Sequence, residues 1–291
     1  MKTKKWMMGV AAATMLAGAC STTAEAHKVL VLYYSQTSNT KAVAEMIADK
    51  LGADIEEVVA VNPYDGDFNA TIERCMRERE DGVTPEIQPL KAEISKYDVI
   101  FIGYPVWFGT FAPPIITMLD RIDLSGKQVV PFCTFGSGGL ESSVKDLVAK
   151  QPNAEILEGY GVRAARMNAA PQEVNNFLIA SGFIKGEYTK PGPFSESHAV
   201  NNDETAIFDA AVGDYPMMNA NATTVATRVI PNGMEYLFTA VDKPRDKAPV
   251  FAPSGGKKPR DKKPKMPPPG EMKVYVTVVN GESPVFTRVV R

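Results

Sequence analysis

Hydrophobic positions between Lys28 and Lys185 alternate between two periods, and that alternation sets the fold class. Runs rich in β-branched and aromatic residues occupy Lys28–Tyr34, Asp54–Val59, Asp98–Tyr104, Gln128–Phe135 and Glu155–Val162. Between them, apolar residues recur at helical spacing over Asn39–Leu51, Pro114–Arg121, Gly139–Lys150 and Pro171–Ser181. Strands alternating with helices predict a parallel sheet joined by right-handed crossovers, with helices on both faces. Val99-Ile100-Phe101-Ile102-Gly103 is apolar throughout, the pattern of a central strand covered on both sides. The expected fold class is α/β, a doubly wound five-stranded parallel sheet. Asn62–Glu86 breaks the rhythm: it is polar and charged, with a short helix expected around Thr71–Arg79.

Beyond Lys185 the pattern changes. A helix is expected over Asp203–Ala211, then strands at Thr223–Ile230 and Met234–Val241 flanking Pro231-Asn232-Gly233, a hairpin signal. Lys243–Pro269 is rich in Pro, Gly and Lys and has too few apolar residues to pack a core. Its basic stretch Lys257–Lys265 reads either as a solvated linker or as a contact for anionic lipid headgroups and envelope polymers. Two further strands, Glu271–Val279 and Pro284–Val290, meet around Asn280-Gly281. The expected plan is a leader and tether at 1–26, an α/β domain at 27–186 and a linker at 187–202. A small α+β module with an antiparallel sheet follows at 203–291, interrupted by a disordered insertion at 243–269.

Composition narrows the function classes. The chain has 291 residues, 44% hydrophobic and 23% charged, the balance of a globular protein. A formal net charge of -2 gives no footing for nucleic-acid binding. Cys20, Cys75 and Cys133 are too few for a disulfide framework, and His27 and His198 too few for a histidine-built metal site. Lys2, Lys4 and Lys5 precede an apolar run, Trp6–Ala19, of signal-peptide length and too short to span a bilayer. Two cleavage readings stand. Leu16-Ala17-Gly18-Ala19-Cys20 resembles a lipobox, with its leucine one position further out than usual, and would make Cys20 a lipidated first residue and a membrane anchor. Ala24-Glu25-Ala26 is an A-x-A site that would release a soluble periplasmic chain at His27. Both place the mature protein in the cell envelope, outside the cytoplasm.

In an open α/β sheet, ligands bind beyond the carboxyl ends of the strands. Three loops there carry unusual chemistry. Ser35-Gln36-Thr37-Ser38-Asn39-Thr40 places hydroxyls and backbone N–H groups at a helix start, a setting for an anion such as a dianionic monophosphate. It reads alternatively as an ordinary capped turn. The absence of G-x-x-x-x-G-K and of G-x-G-x-x-G argues against a nucleoside triphosphatase and a dinucleotide site. Pro105-Val106-Trp107-Phe108-Gly109 carries two aromatics that form either core or a stacking surface for a flat ligand. In Thr134-Phe135-Gly136-Ser137-Gly138 the glycines permit close backbone approach before the next helix. Cys133 reads as a small buried apolar residue, and nothing aims Asp65, Asp67 or Cys75 at these loops. No catalytic side chain and no metal set is expected.

Tyr34–Thr40, Gly103–Gly109 and Pro131–Gly138, with Pro113-Pro114 opening the next helix, resemble the signature loops of the short-chain flavodoxin-like family. The resemblance implies FMN, its phosphate on Ser35–Thr40 and its ring between the second and third loops. It further implies electron transfer through the flavin, as a carrier or a flavin-dependent reductase, with a redox partner protein or a quinone-like acceptor. Two departures stand out: Ser38 replaces the family's usual glycine, and Phe108 follows Trp107 where relatives often carry two tryptophans. The first favours an alternative, a cell-envelope binding or scaffold protein with a weakened flavin site. Residues 203–291 faintly resemble cystatin-like folds through Val225-Ala226-Thr227-Arg228-Val229-Ile230-Pro231-Asn232-Gly233-Met234-Glu235-Tyr236, though the inhibitor loop differs and protease inhibition does not carry over.

Overall fold

The computed structural model describes residues 28–65, 67–213, 215, 218–243 and 270–291. The expected export signal, Cys20 and residues 244–269, where the insertion is expected, lie outside the described residues.

The first unit comprises β1 (Val29–Tyr33), α1 (Asn39–Leu51), β2 (Asp54–Glu57), α2 (Phe68–Asp81), β3 (Val99–Trp107), β4 (Thr110–Phe111) and α3 (Pro113–Arg121). It continues with β5 (Gln128–Phe135), α4 (Leu140–Lys150), β6 (Glu155–Ile156), β7 (Tyr160–Arg163) and α5 (Ala170–Ala180). Its main sheet runs β2-β1-β3-β5-β6, with β7 taking up the same edge of β5 further along. These pairings are parallel, and the order reverses direction between β1 and β3. Alternation along each strand divides the side chains between two cores. Leu30, Leu32, Ile100 and Ile102 meet Ile115 and Met118 of α3 and Leu147 of α4. Val31, Tyr33, Val99 and Phe101 meet Val43 and Ile47 of α1 and Val174 and Leu178 of α5. The sheet is therefore covered on both faces, as its near-continuous apolar strands require.

The second unit adds β8 (His198–Ala199), α6 (Asn202–Val212), β9 (Ala220–Ile230), β10 (Gly233–Asp242), β11 (Glu271–Val279) and β12 (Val285–Val290). Its sheet is antiparallel in the order β12-β11-β10-β9-β8. Asn201 caps α6 in a capping box with Glu204. Phe208 and Val212 of the helix pack on Val225, Phe238, Val274, Val276 and Phe286 of the sheet, a core separate from the first two.

Four details differ from the sequence reading. The fifth parallel strand is split into β6 and β7. The break lies near Pro131, whose missing N–H cannot support a ladder; a Cβ on Gly159 would stand 2.6 Å from the Pro131 carbonyl oxygen. β3 runs three residues longer, to Trp107, because it turns back into β4. α2 spans Phe68–Asp81, held by an Asp67 side-chain cap on Ala70 N–H at 2.8 Å and closed by Gly82 at φ 65°. The stretch expected as a linker at 187–202 supplies the edge strand β8.

Candidate functional site

The first loop leaves β1 and reaches α1 through Ser38, which sits at φ 63°, ψ -5° and makes no side-chain capping bond. Its carbonyl accepts the Ala42 N–H at 2.9 Å, closing the first helical turn. No acidic residue lies in that turn, so no first-turn carboxylate offsets the positive end of the helix dipole or its first N–H groups. Ser35 Oγ is buried and has no hydrogen-bond partner. Such a group is uncommon in folded chains and costs about 1–3 kcal/mol if nothing satisfies it. The remaining side chains of the loop have other tasks. Gln36 Nε2 donates to the Tyr64 carbonyl at 3.0 Å and to Thr71 Oγ1 at 2.8 Å, fastening the loop to the segment that carries α2. Asn39 Nδ2 donates to Thr37 Oγ1 at 3.4 Å. Thr40 Oγ1 and Thr134 Oγ1 share a buried hydrogen bond at 2.8 Å, which ties the first loop to the third.

The second loop is a two-residue hairpin. Trp107 and Thr110 pair across it, and both tip residues, Phe108 (φ 52°) and Gly109 (φ 83°), take positive φ. That is the backbone demand of a type I′ turn, and a bulky residue meets it only under strain. Trp107 turns back into an aromatic cluster, edge-on to Tyr34 (5.9 Å between ring centroids) and to Tyr64 (5.2 Å). Phe108 stays 49% exposed, with the Arg79 guanidinium 5.1 Å over its ring. Tyr64 is fixed in turn from α2: its hydroxyl donates to Glu78 at 2.5 Å, and Arg74 lies 3.8 Å over its ring while pairing with Glu78 at 2.8 Å. The helix in the irregular segment thus supports the aromatic loop. Sequence reasoning missed Tyr64, Arg74 and Glu78; the Arg-Glu spacing of four on a helix was the available signal.

The third loop is held from both units, by Arg163 at the end of β7 and by β12. Arg163 Nε donates to the Gly136 carbonyl at 2.8 Å, and the Val289 N–H of β12 donates to the Ser137 carbonyl at 2.7 Å. A Cβ on Gly138 would stand 2.2 Å from the Val289 carbonyl oxygen, so the close approach this glycine permits is made by β12. Gly139, at φ 118°, lets Val106 of the second loop pack against the start of α4. Ser142 Oγ of α4 donates to the Gly109 carbonyl at 2.5 Å. The structure therefore brings all three candidate loops together and cross-ties each to a neighbour.

Neither described cysteine is an activated nucleophile. Burial pushes the Cys133 thiol well up, and burial, reinforced by Glu78, pushes Cys75 up to about 11. Both thiols stay protonated at neutral pH and are poor nucleophiles. Among the described residues no group of three or more His, Cys, Asp or Glu could hold a metal ion. What remains is a loop of backbone and hydroxyl donors with one unmet buried hydroxyl, beside a strained hairpin that presents an aromatic ring.

A family model described as flavodoxin matches residues 28–202. The uncharacterized protein MJ0298 of Methanocaldococcus jannaschii is 31% identical over 116 residues, 40% of this chain; the chain spans 59% of that relative's length. A Bacteroides eggerthii protein described as a candidate flavoprotein is 30% identical, with a TM-score of 0.47, covering 53% of this chain and 97% of its own. A flavoprotein from Lactobacillus acidophilus, solved in complex with FMN, is 29% identical with a TM-score of 0.43, covering 46% of this chain and 93% of its own.

Proposed function

The chain belongs to the flavodoxin family through residues 28–202, and from that premise we propose that it is an FMN-binding electron-transfer protein of the cell envelope. The observation that carries the reading is Ser35: a buried hydroxyl without a partner, in a loop whose Ser38 leaves the N-terminus of α1 uncapped. A phosphate oxygen accepts from such a hydroxyl and from first-turn N–H groups together. Ser35–Thr40 would hold the phosphate through backbone N–H and hydroxyl donors, while Pro105–Gly109 and Thr134–Gly138 would hold the ring. When bound, FMN supplies reversible one- or two-electron chemistry, and the protein supplies orientation and polarity. The chain's own part is to keep the loops fixed and to cover one side with the Trp107, Tyr34 and Tyr64 cluster. No side-chain acid or base is called for.

The N-terminal leader, read from sequence, supports export, with Cys20 as a lipid anchor or cleavage after Ala26. Nicotinamide cofactors are scarce outside the cytoplasm, which favours a redox partner protein or a quinone-like acceptor over a soluble nicotinamide donor. The test is FMN titration of the mature chain, in which Trp107 is the one remaining tryptophan. The expected result is flavin fluorescence quenching with saturation, weakened at least tenfold by combined Trp107→Ala and Phe108→Ala substitution. A colourless protein that leaves FMN fluorescence untouched refutes the reading. That outcome supports the alternative, an envelope binding or scaffold protein with a weakened flavin site. Its favouring observation is that β12 fills the space at Gly138.

A further inference from the structure

The family match stops at residue 202, yet the unit beyond it reaches the third loop. β12 is the edge strand of its sheet, and an edge N–H normally faces solvent or a new strand. Here the Val289 N–H is spent on the Ser137 carbonyl at 2.7 Å. Arg163, at the end of β7, completes the attachment. Its Nε donates to the Gly136 carbonyl at 2.8 Å and its Nη1 to the Phe286 carbonyl of β12 at 2.7 Å. The guanidinium lies 4.2 Å from the Phe286 ring centroid and 5.2 Å from that of Tyr215, and burial lowers its proton affinity. On the other side of the loop, Arg288 of β12 lies 3.6 Å from Glu141 of α4. Below this point the two units part around a cavity of about 390 Å³, lined by Tyr160, Arg166, Glu173, Thr287 and Arg288 among others. The attachment is therefore concentrated on the loop.

We propose that the C-terminal unit is a fixed buttress of the third loop, with Arg163 as the positioning residue that locks β12 to Gly136–Gly138. In a trans peptide the carbonyl of one residue and the N–H of the next point in opposite directions. Fixing the Gly136 and Ser137 carbonyls toward Arg163 and β12 fixes the Ser137 and Gly138 N–H groups toward the opposite side. Two donors are thereby preset before any ligand arrives, and a ligand that meets preset donors loses less on ordering them. The identity of the ligand rests on the flavin reading above; the fixation of the loop does not.

The test uses the full mature chain and two readouts. Arg163→Ala leaves the second sheet intact and removes both carbonyl contacts, Arg163→Lys restores the charge without the planar fork, and Val289→Pro removes the edge N–H. The folded state of each variant is checked by thermal melting. In the ligand-free protein, exchange of the Val289 amide, whose N–H is held by the Ser137 carbonyl, is expected to quicken about tenfold in Arg163→Ala, and less in Arg163→Lys, in line with loss of one or two hydrogen bonds. In the FMN complex the same order is expected in affinity, with a moved visible absorption band and reduction potential. Unchanged exchange in folded Arg163→Ala overturns the proposal even where FMN binds. Absence of FMN binding in the wild-type chain refutes the flavin reading, while the exchange result still decides the buttress. Quickened exchange with unchanged affinity, absorption and potential overturns the preset-donor role.

Discussion

Replacing Ser38 with glycine should raise stability and leave ligand affinity where it was. The substituted position already sits at φ 63° in the ligand-free chain. A residue with a Cβ in that region carries about 1–2 kcal/mol of strain. Glycine removes the strain but returns about 0.4–1 kcal/mol through its freer unfolded chain. Because Ser38 makes no side-chain capping bond, no hydrogen bond is lost, and the net gain comes to about 0.5–1 kcal/mol. For a unit of this size that is roughly 1–4 °C in Tm. The assay is urea unfolding followed by Trp107 emission, which reports the first unit; the midpoint should rise at constant slope. FMN affinity, read in parallel, should stay within about twofold. Were the left-handed conformation adopted only on binding, the full strain would appear in affinity instead, tightening it about 5- to 30-fold with no change in midpoint. That result would refute the reasoning.

Ser35→Ala should be neutral to slightly stabilising in the free protein, since it removes a buried unpartnered hydroxyl, yet weaken FMN binding about tenfold or more through loss of a charge-assisted bond; equal affinity in a titration counts against the phosphate site. Thr40→Val should cost about 1–3 kcal/mol in denaturant unfolding by stranding Thr134 Oγ1, and adding Thr134→Val should recover most of it. Alkali should destabilise the fold. Burial, with Glu57 nearby, pushes Tyr33 up to about 12, and burial pushes Cys75 up to about 11. With folded values above the unfolded ones, their contribution is complete below about pH 9 and is lost as pH climbs from about 9 to 12; a flat stability profile across that window, measured by urea titration, would contradict the burial of both groups.

The parallel sheet was legible because its information is local: each apolar run and each helical stripe lies in contiguous sequence. The loop proposed for phosphate could be located for the same reason, since a strand, six small polar residues and a helix follow one another without interruption. What escaped reading depends on distant partners. Gln36 stands in the loop proposed for phosphate, and its side-chain amide is drawn to Tyr64 and Thr71, residues of the polar segment that interrupts the strand–helix rhythm. Trp107 looked like the tip of a turn and is the last residue of a strand, because Phe108-Gly109 makes the reversal. Gly138 looked like an opening for a ligand, and its open side is filled by a strand 151 positions further along the chain (289 less 138).

These distant contacts share one consequence. Thr40 to Thr134 joins the first loop to the third. Ser142 to Gly109 and the Gly139–Val106 contact join the third loop's helix to the second. Gln36 joins the first loop to the segment that braces Trp107. Each tie is formed without a ligand, so the strain at Ser38 and Phe108 and the unmet hydroxyl of Ser35 are costs carried by folding. A loop set so firmly has little ordering left to do on binding, which is where flexible loops lose affinity. The C-terminal unit belongs to the same economy: it holds the one loop whose glycines would otherwise leave it freest. Loosening any one tie should therefore relax the site as a whole, and double-mutant cycles between Thr134 and Arg163 should show coupling although the two side chains do not bond to each other. Strict additivity of their effects on Val289 amide exchange would separate the ties and break this picture of a single preset frame.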